Sequence, residues 1–186
     1  VTPLDPRFTI RQENGAVAVE LLQTGNYANP YVVPSGPTAH PLPLYTSLLA
    51  LLFHWFGVSL LAEQVRYWIH VVTYSAMYAM LPWLSANLGT GWRAGVVGGF
   101  IGAWLPVFPL TIGLGEELAA IALGLLLVAM LRRWRSGSVS IGRCALEGLA
   151  WGASFHLAPA LLLVFLALAG VEAWRFRRWS PAVALL

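Results

Sequence analysis

Lysine is absent from this chain, cysteine occurs once, and Asp and Glu together number only eight in 186 residues. Each scarcity excludes something. A single thiol, Cys144, leaves no intrachain disulfide and no thiol-based metal site. Charged residues make up 10% of the chain, against roughly 25% in a soluble domain, so water is a poor solvent for the surface this sequence would present. All eleven basic residues are Arg, a mark of genome composition rather than of chemistry. They gather beside apolar runs, so the pI near 9.4 reads as membrane-flanking charge and not as nucleic-acid binding. No spacing among the four histidines makes a metal site.

What is present is apolar. The chain is 58% hydrophobic with a mean hydropathy of +0.69, and the runs 94–114 and 118–131 hold charge only outside their ends. The expected fold class is all-α: a polytopic transmembrane helical domain with an extracytoplasmic N-terminal loop carrying short amphipathic or interfacial helices. Residues 1–186 read as one membrane domain, 1–66 as the loop and 67–186 as transmembrane helices. The chain begins at Val1 and shows no signal peptide, so it is expected to be a piece of a longer protein.

Within the loop, ENGAVAVELLQTG (13–25) predicts a short amphipathic helix stopped at Gly25. The segment TGNYANPYVVPSGPTAHPLPLY (24–45) follows with five prolines. Each fixes φ and removes a donor, so extended loop is expected there. Residues 42–61 are about as long as a crossing requires, yet carry Thr46, Ser47, His54 and Gly57. Helices are expected over 67–88, 94–114 and 118–131. A pair of short helices over 144–171 is expected to break near His156–Pro159. The strongest basic patches, Arg132–Arg135 with Arg143 and Arg175–Arg178, are expected on the cytoplasmic side together with 89–93. Glu116 and Glu117 then fall outside.

The block ENGAVAVELLQTGNYANPY followed by GPTAHPLPLY resembles the first outer loop of bacterial polytopic glycosyltransferases of the GT-C superfamily. It is most similar to the group related to protein-mannosyltransferases, lipid A aminoarabinose transferases and Rgt-type lipopolysaccharide core transferases. Arg66, GEELAAIALGLLL and GLAWGASFHLAPALLL match later parts of that pattern. Two departures stand out. Gln12 replaces the first acid of an Asp-Glu pair, and Pro41 stands where many relatives carry a Lys, so phosphate recognition by that Lys is not carried over.

The resemblance implies a glycosyltransferase of the bacterial inner membrane, its site facing outward and residues 42–61 interfacial. It would move a sugar from a polyprenyl-phosphate donor to a hydroxyl on a lipid or glycan acceptor. Membrane lipid is a partner and nucleic acid is not. Such a reaction needs a carboxylate to take the hydroxyl proton and a cation or donors for the leaving phosphate. Glu13 is the expected catalytic base, with Arg66, His40, Glu116 and Glu117 expected to bind substrate; the cofactor is left open, a divalent metal among the candidates. Arg66 is favoured for phosphate because its planar fork suits that group. The blander readings are an acid stabilised by the helix dipole at Glu13, Glu116 and Glu117, and a membrane-flanking charge at Arg66. A transport or assembly subunit without catalysis, including a degenerate relative, is the alternative function.

Overall fold

The computed structural model describes residues 12–31, 34–104, 114–136 and 140–179, with the side chains of 175–179 left aside. All the secondary-structure elements named in it are helical. The first, α1 (Glu13–Thr24), ends at Gly25 in the left-handed region, φ 74°, with the Gly25 N–H bonded to Leu21 O. A glycine suits that position because it has no Cβ to clash.

The proline-rich segment then doubles back on itself. Thr38 N donates to Tyr27 O at 3.2 Å and Asn29 N to Gly36 O at 2.9 Å, while the Asn29 side chain accepts from the amides of Ser35 and Gly36 at 3.0 Å each. Tyr27 Oη donates to Pro41 O at 2.8 Å and so ties the end of the turn to its start. Proline lowers the ordering entropy this excursion must lose. The result is a stiff arm that delivers His40 to the head of α1.

Residues 42–61 do not form one element. Helix α2 (Pro43–Phe56) opens on a proline at its first position and stops at Gly57, φ 67°. At 14 residues it spans about 21 Å, short of the ~30 Å hydrocarbon core. Ser59 caps α3 (Leu60–Ala79) by accepting from Ala62 N. The expected helix over 67–88 therefore begins seven residues early, and a loop boundary drawn after Arg66 falls inside a helix. The reason is local: the sequence offers a capping serine after a glycine stop, and Glu63 with Arg66 at i,i+3 favours helix rather than ending it. Ala18 of α1, Leu49, Ala50, Leu52 and Phe53 of α2 and Ala62 of α3 bury together as the core of this N-terminal unit.

The chain runs through Met80 in right-handed geometry into α4 (Leu81–Leu88), where Pro82 occupies the first turn. Helix α5 (Trp92–Trp104) packs back on this bend. It does so through glycine: a Cβ on Gly95 would lie 2.3 Å from Leu81 O, and one on Gly99 would lie 2.9 Å from Tyr78 O. Small residues four apart let two helix backbones approach closely. The remainder of the expected helix, 105–113, lies outside the described residues.

Helix α6 (Leu114–Ser136) is the one described helix long and apolar enough to cross a membrane; its 23 residues rise about 34 Å. It is longer at both ends than the apolar run 118–131, because Glu116 and Glu117 sit in its first turn and Arg133 and Arg135 in its last. Both placements suit the helix dipole. Helices α7 (Ile141–Phe155) and α8 (Ala160–Trp179) follow, separated at His156–Pro159. Pro159 has no N–H to continue α7.

Candidate functional site

At the N-terminal end of α6 an open cleft of about 270 Å³ is lined by Gln12, Glu13, Asn14, His40, Pro41, Leu42, Tyr45, Gly115, Glu116 and Leu157. Five separate stretches of chain build it, the turn between α7 and α8 contributing Leu157. The head of α1 gives Glu13, the proline-rich arm gives His40, the start of α2 gives Tyr45, and the first turn of α6 gives Glu116. The heads of α1 and α2 are locked together where Thr46 Oγ1 donates to Asn14 Oδ1 at 3.1 Å. Thr46 is fully buried, so this bond is shielded from competing water.

Glu13 and His40 meet: Nδ1 lies 2.9 Å from Oε2, with the two side chains 71% and 40% exposed for His40 and Glu13 respectively. A carboxylate so placed stays reachable by a ligand. Glu116 is exposed on the facing wall, while its neighbour Glu117 turns the other way and is wholly buried. Glu117 Oε2 accepts from Thr73 Oγ1 at 2.7 Å, and Oε1 lies 2.9 Å from His70 Nδ1. That last pair is out of line for a hydrogen bond, so it is a close electrostatic contact. Glu117 thereby joins α6 to α3 behind the cleft rather than lining it.

Arg66 also stands outside the lining. Its Nε donates to Glu63 Oε2 at 2.9 Å, and Glu63 is buried. The guanidinium lies beside the Tyr45 hydroxyl. Burial pushes the Tyr45 pKa up, and Arg66 partly offsets this, so the hydroxyl is a protonated donor at neutral pH.

Of the residues singled out from the sequence, the structure brings Glu13, His40 and Glu116 to one cleft and places Arg66 and Glu117 one layer behind it. Arg7 and Arg11, which precede α1 in the sequence, lie outside the described residues. His156, taken from sequence as a turn residue, lines a second and more apolar recess of about 360 Å³ with Pro43, Leu44, Ser47 and Ala153. Sequence reasoning missed Tyr45, His70 and Thr73. Tyr45 had a visible signal, since it ends the Pro-Leu-Tyr stretch; nothing local marks His70 as the partner of a residue 47 positions on. Among the described residues no cluster of three or more His, Cys, Asp and Glu is suited to hold a metal ion.

A second charged cluster sits at the far end of α6. Arg133 donates through Nε to Glu147 Oε2 at 2.8 Å and through Nη2 to Glu172 Oε2 at 2.8 Å, with Nη1 on Glu172 Oε1. Three helices are tied there by one guanidinium.

No protein-family model, curated protein or solved structure matches this chain. The cleft itself therefore carries the functional reading.

Proposed function

We propose that the chain belongs to a polytopic membrane glycosyltransferase of the GT-C kind. It moves a sugar from a polyprenyl-phosphate donor to an acceptor hydroxyl on the extracytoplasmic face of a bacterial inner membrane. The observation that carries this reading is convergence. Glu13, His40 and Glu116, from three distant stretches, line one open cleft at the end of the helix able to cross a membrane.

The chemistry follows from the groups present. The acceptor hydroxyl gives its proton to the Glu13 carboxylate as its oxygen bonds to the anomeric carbon. The bond from that carbon to the phosphate oxygen breaks, and its electron pair leaves with the phosphate. His40 holds the Glu13 carboxylate in position. Glu116, across the cleft, accepts hydrogen bonds from sugar hydroxyls. Large apolar side chains left exposed on α3, α5, α7 and α8, such as Trp68, Phe100, Trp104, Leu149 and Leu163, support a lipid-facing surface beyond α6 alone.

A second reading has one observation in its favour: the described lining of the cleft contains two carboxylates and no arginine. That suits a relative kept for assembly or transport without catalysis. The test is sugar transfer by the full gene product in proteoliposomes supplied with a polyprenyl-phosphate sugar. Glu13→Gln keeps size and hydrogen bonding but removes the proton acceptor, and turnover is expected to fall ~10²–10⁴-fold. Near wild-type turnover would shift the base to Glu116, and absence of transfer by the wild type would favour the non-catalytic reading.

A further inference from the structure

A phosphate leaving group needs hydrogen-bond donors or positive charge where its negative charge grows. The cleft wall offers two carboxylates instead. Among the described residues, the arginine beside a lining side chain is Arg66, next to Tyr45, and it is held back by Glu63, whose side chain is 3% exposed, while that of Arg66 is 22% exposed. An Arg tethered to a buried carboxylate does not sweep into the cleft.

Between Arg66 and the cleft stands Tyr45. Its ring rests on the backbone of Gly115, where an added Cβ would be 3.7 Å from the ring carbon Cγ. Tyr45 and Gly115 both line the cleft. The hydroxyl sits in the joint field of Arg66, Glu116 and Glu63. A guanidinium can only donate, whereas a phenol both donates and accepts. An Arg66 N–H turned to the Tyr45 oxygen therefore occupies a lone pair and leaves the O–H to donate elsewhere. Positive charge behind the oxygen strengthens that donation.

We propose that Tyr45 is an anion-binding residue of this cleft, donating a hydrogen bond to the phosphate of a polyprenyl-phosphate donor, and that Arg66 is a positioning residue acting on the phosphate through it. The proposal rests on the glycosyltransferase reading above. It also gives the layered arrangement a reason. An Arg placed directly in the wall would pair with Glu13 or Glu116 and make Glu13 a weaker base. A neutral hydroxyl in between delivers the cation's influence to the phosphate and leaves the carboxylate free to take a proton. As the sugar–phosphate bond breaks, the electron pair collects on the phosphate oxygen and the Tyr45 hydrogen bond strengthens.

The test is equilibrium binding of polyprenyl phosphate, without a sugar, to the full gene product in lipid nanodiscs, with polyprenol as the matched uncharged probe. Tyr45→Phe keeps the ring on Gly115 and should weaken polyprenyl-phosphate binding about 10- to 100-fold while leaving polyprenol binding unchanged. Arg66→Gln should weaken phosphate binding in the wild-type background but add little in the Tyr45→Phe background, and Arg66→Lys should restore part of the loss. A merely structural Arg66 would instead lower affinity for both probes by the same factor in either background, and that result overturns the relay. Polyprenyl-phosphate binding by Tyr45→Phe at wild-type strength overturns the proposal but leaves the glycosyltransferase reading standing. A wild type with no preference for polyprenyl phosphate over polyprenol removes both.

Discussion

Helix α6 has charge at both ends, and the two ends treat it differently. At the N-terminal end Glu116 stands exposed in a cleft, and Glu13, which also lines it, pairs among the described residues with a histidine that is itself 71% exposed. At the C-terminal end Arg133 is 8% exposed, and its donors are taken up by Glu147 and Glu172 on two other helices. One end leaves hydrogen-bonding capacity open to a ligand; the other consumes it internally. Folding alone rewards the second arrangement, since a buried charge without partners is costly. The first gives little stability, which is why it reads as a site and the second as a clamp.

The largest effect expected from this contrast is at the clamp. Arg133→Met leaves Glu147 and Glu172 facing each other without a cation, and removing one member of a buried ion cluster costs about 3–5 kcal/mol. Thermal unfolding in detergent should show a large downward shift. Adding Glu147→Gln and Glu172→Gln should recover much of the loss, because no uncompensated charge remains. An unchanged midpoint in the single variant would mean that the cluster is solvated after all.

How far each end could be read from sequence follows the same division. The cleft end was partly legible because its parts announce themselves locally: a stop glycine after a short helix, five prolines, and paired acids opening an apolar run. The clamp was not, because the partners of Arg133 lie 14 and 39 residues away and no spacing rule connects them. In sequence Arg132–Arg135 looked like one membrane-flanking patch, whereas in the structure Arg133 turns inward, Arg132 lies over Trp83 at 5.6 Å and Arg135 donates to Asn87 O at 2.6 Å. The orientation expected from Arg175–Arg178 rests on side chains outside the described residues. The break at His156–Pro159 was visible because proline acts within its own turn. The early start of α3 was hidden by the apolar residues on both sides of Gly57, which read as one continuous run.

A smaller effect is expected midway along the molecule, at the α4–α5 contact. Gly95→Leu puts atoms where Leu81 O lies 2.3 Å from the new Cβ, and forced overpacking costs about 1–3 kcal/mol. Gly98→Leu is the matched control, since nothing stands within 4 Å of its added Cβ. Unfolding midpoints should fall for Gly95→Leu and hold or rise for Gly98→Leu, which gains helix propensity. Equal behaviour of the two would place the close approach elsewhere.

The smallest stability effect is expected at the cleft, and it is the sharpest test of the comparison. His40→Asn removes the partner of Glu13 from a pair whose members are 71% and 40% exposed, and pairs in that setting contribute about 0–1 kcal/mol. The unfolding midpoint should therefore barely move, and 1 M salt should abolish what difference there is, since screening acts within ~3 Å at that strength. Sugar transfer should respond quite differently. Without His40 the Glu13 carboxylate samples other rotamers, and misplacement of a reacting group by about 1 Å can cost as much as 10²-fold in rate. Transfer kinetics and thermal unfolding on the same preparation measure the two quantities together. A large loss of turnover with an unmoved midpoint is what a site open to ligand requires. A loss of stability comparable to that of Arg133→Met would instead make Glu13 and His40 a second clamp, and the base would have to be sought at Glu116, the other carboxylate lining that cleft.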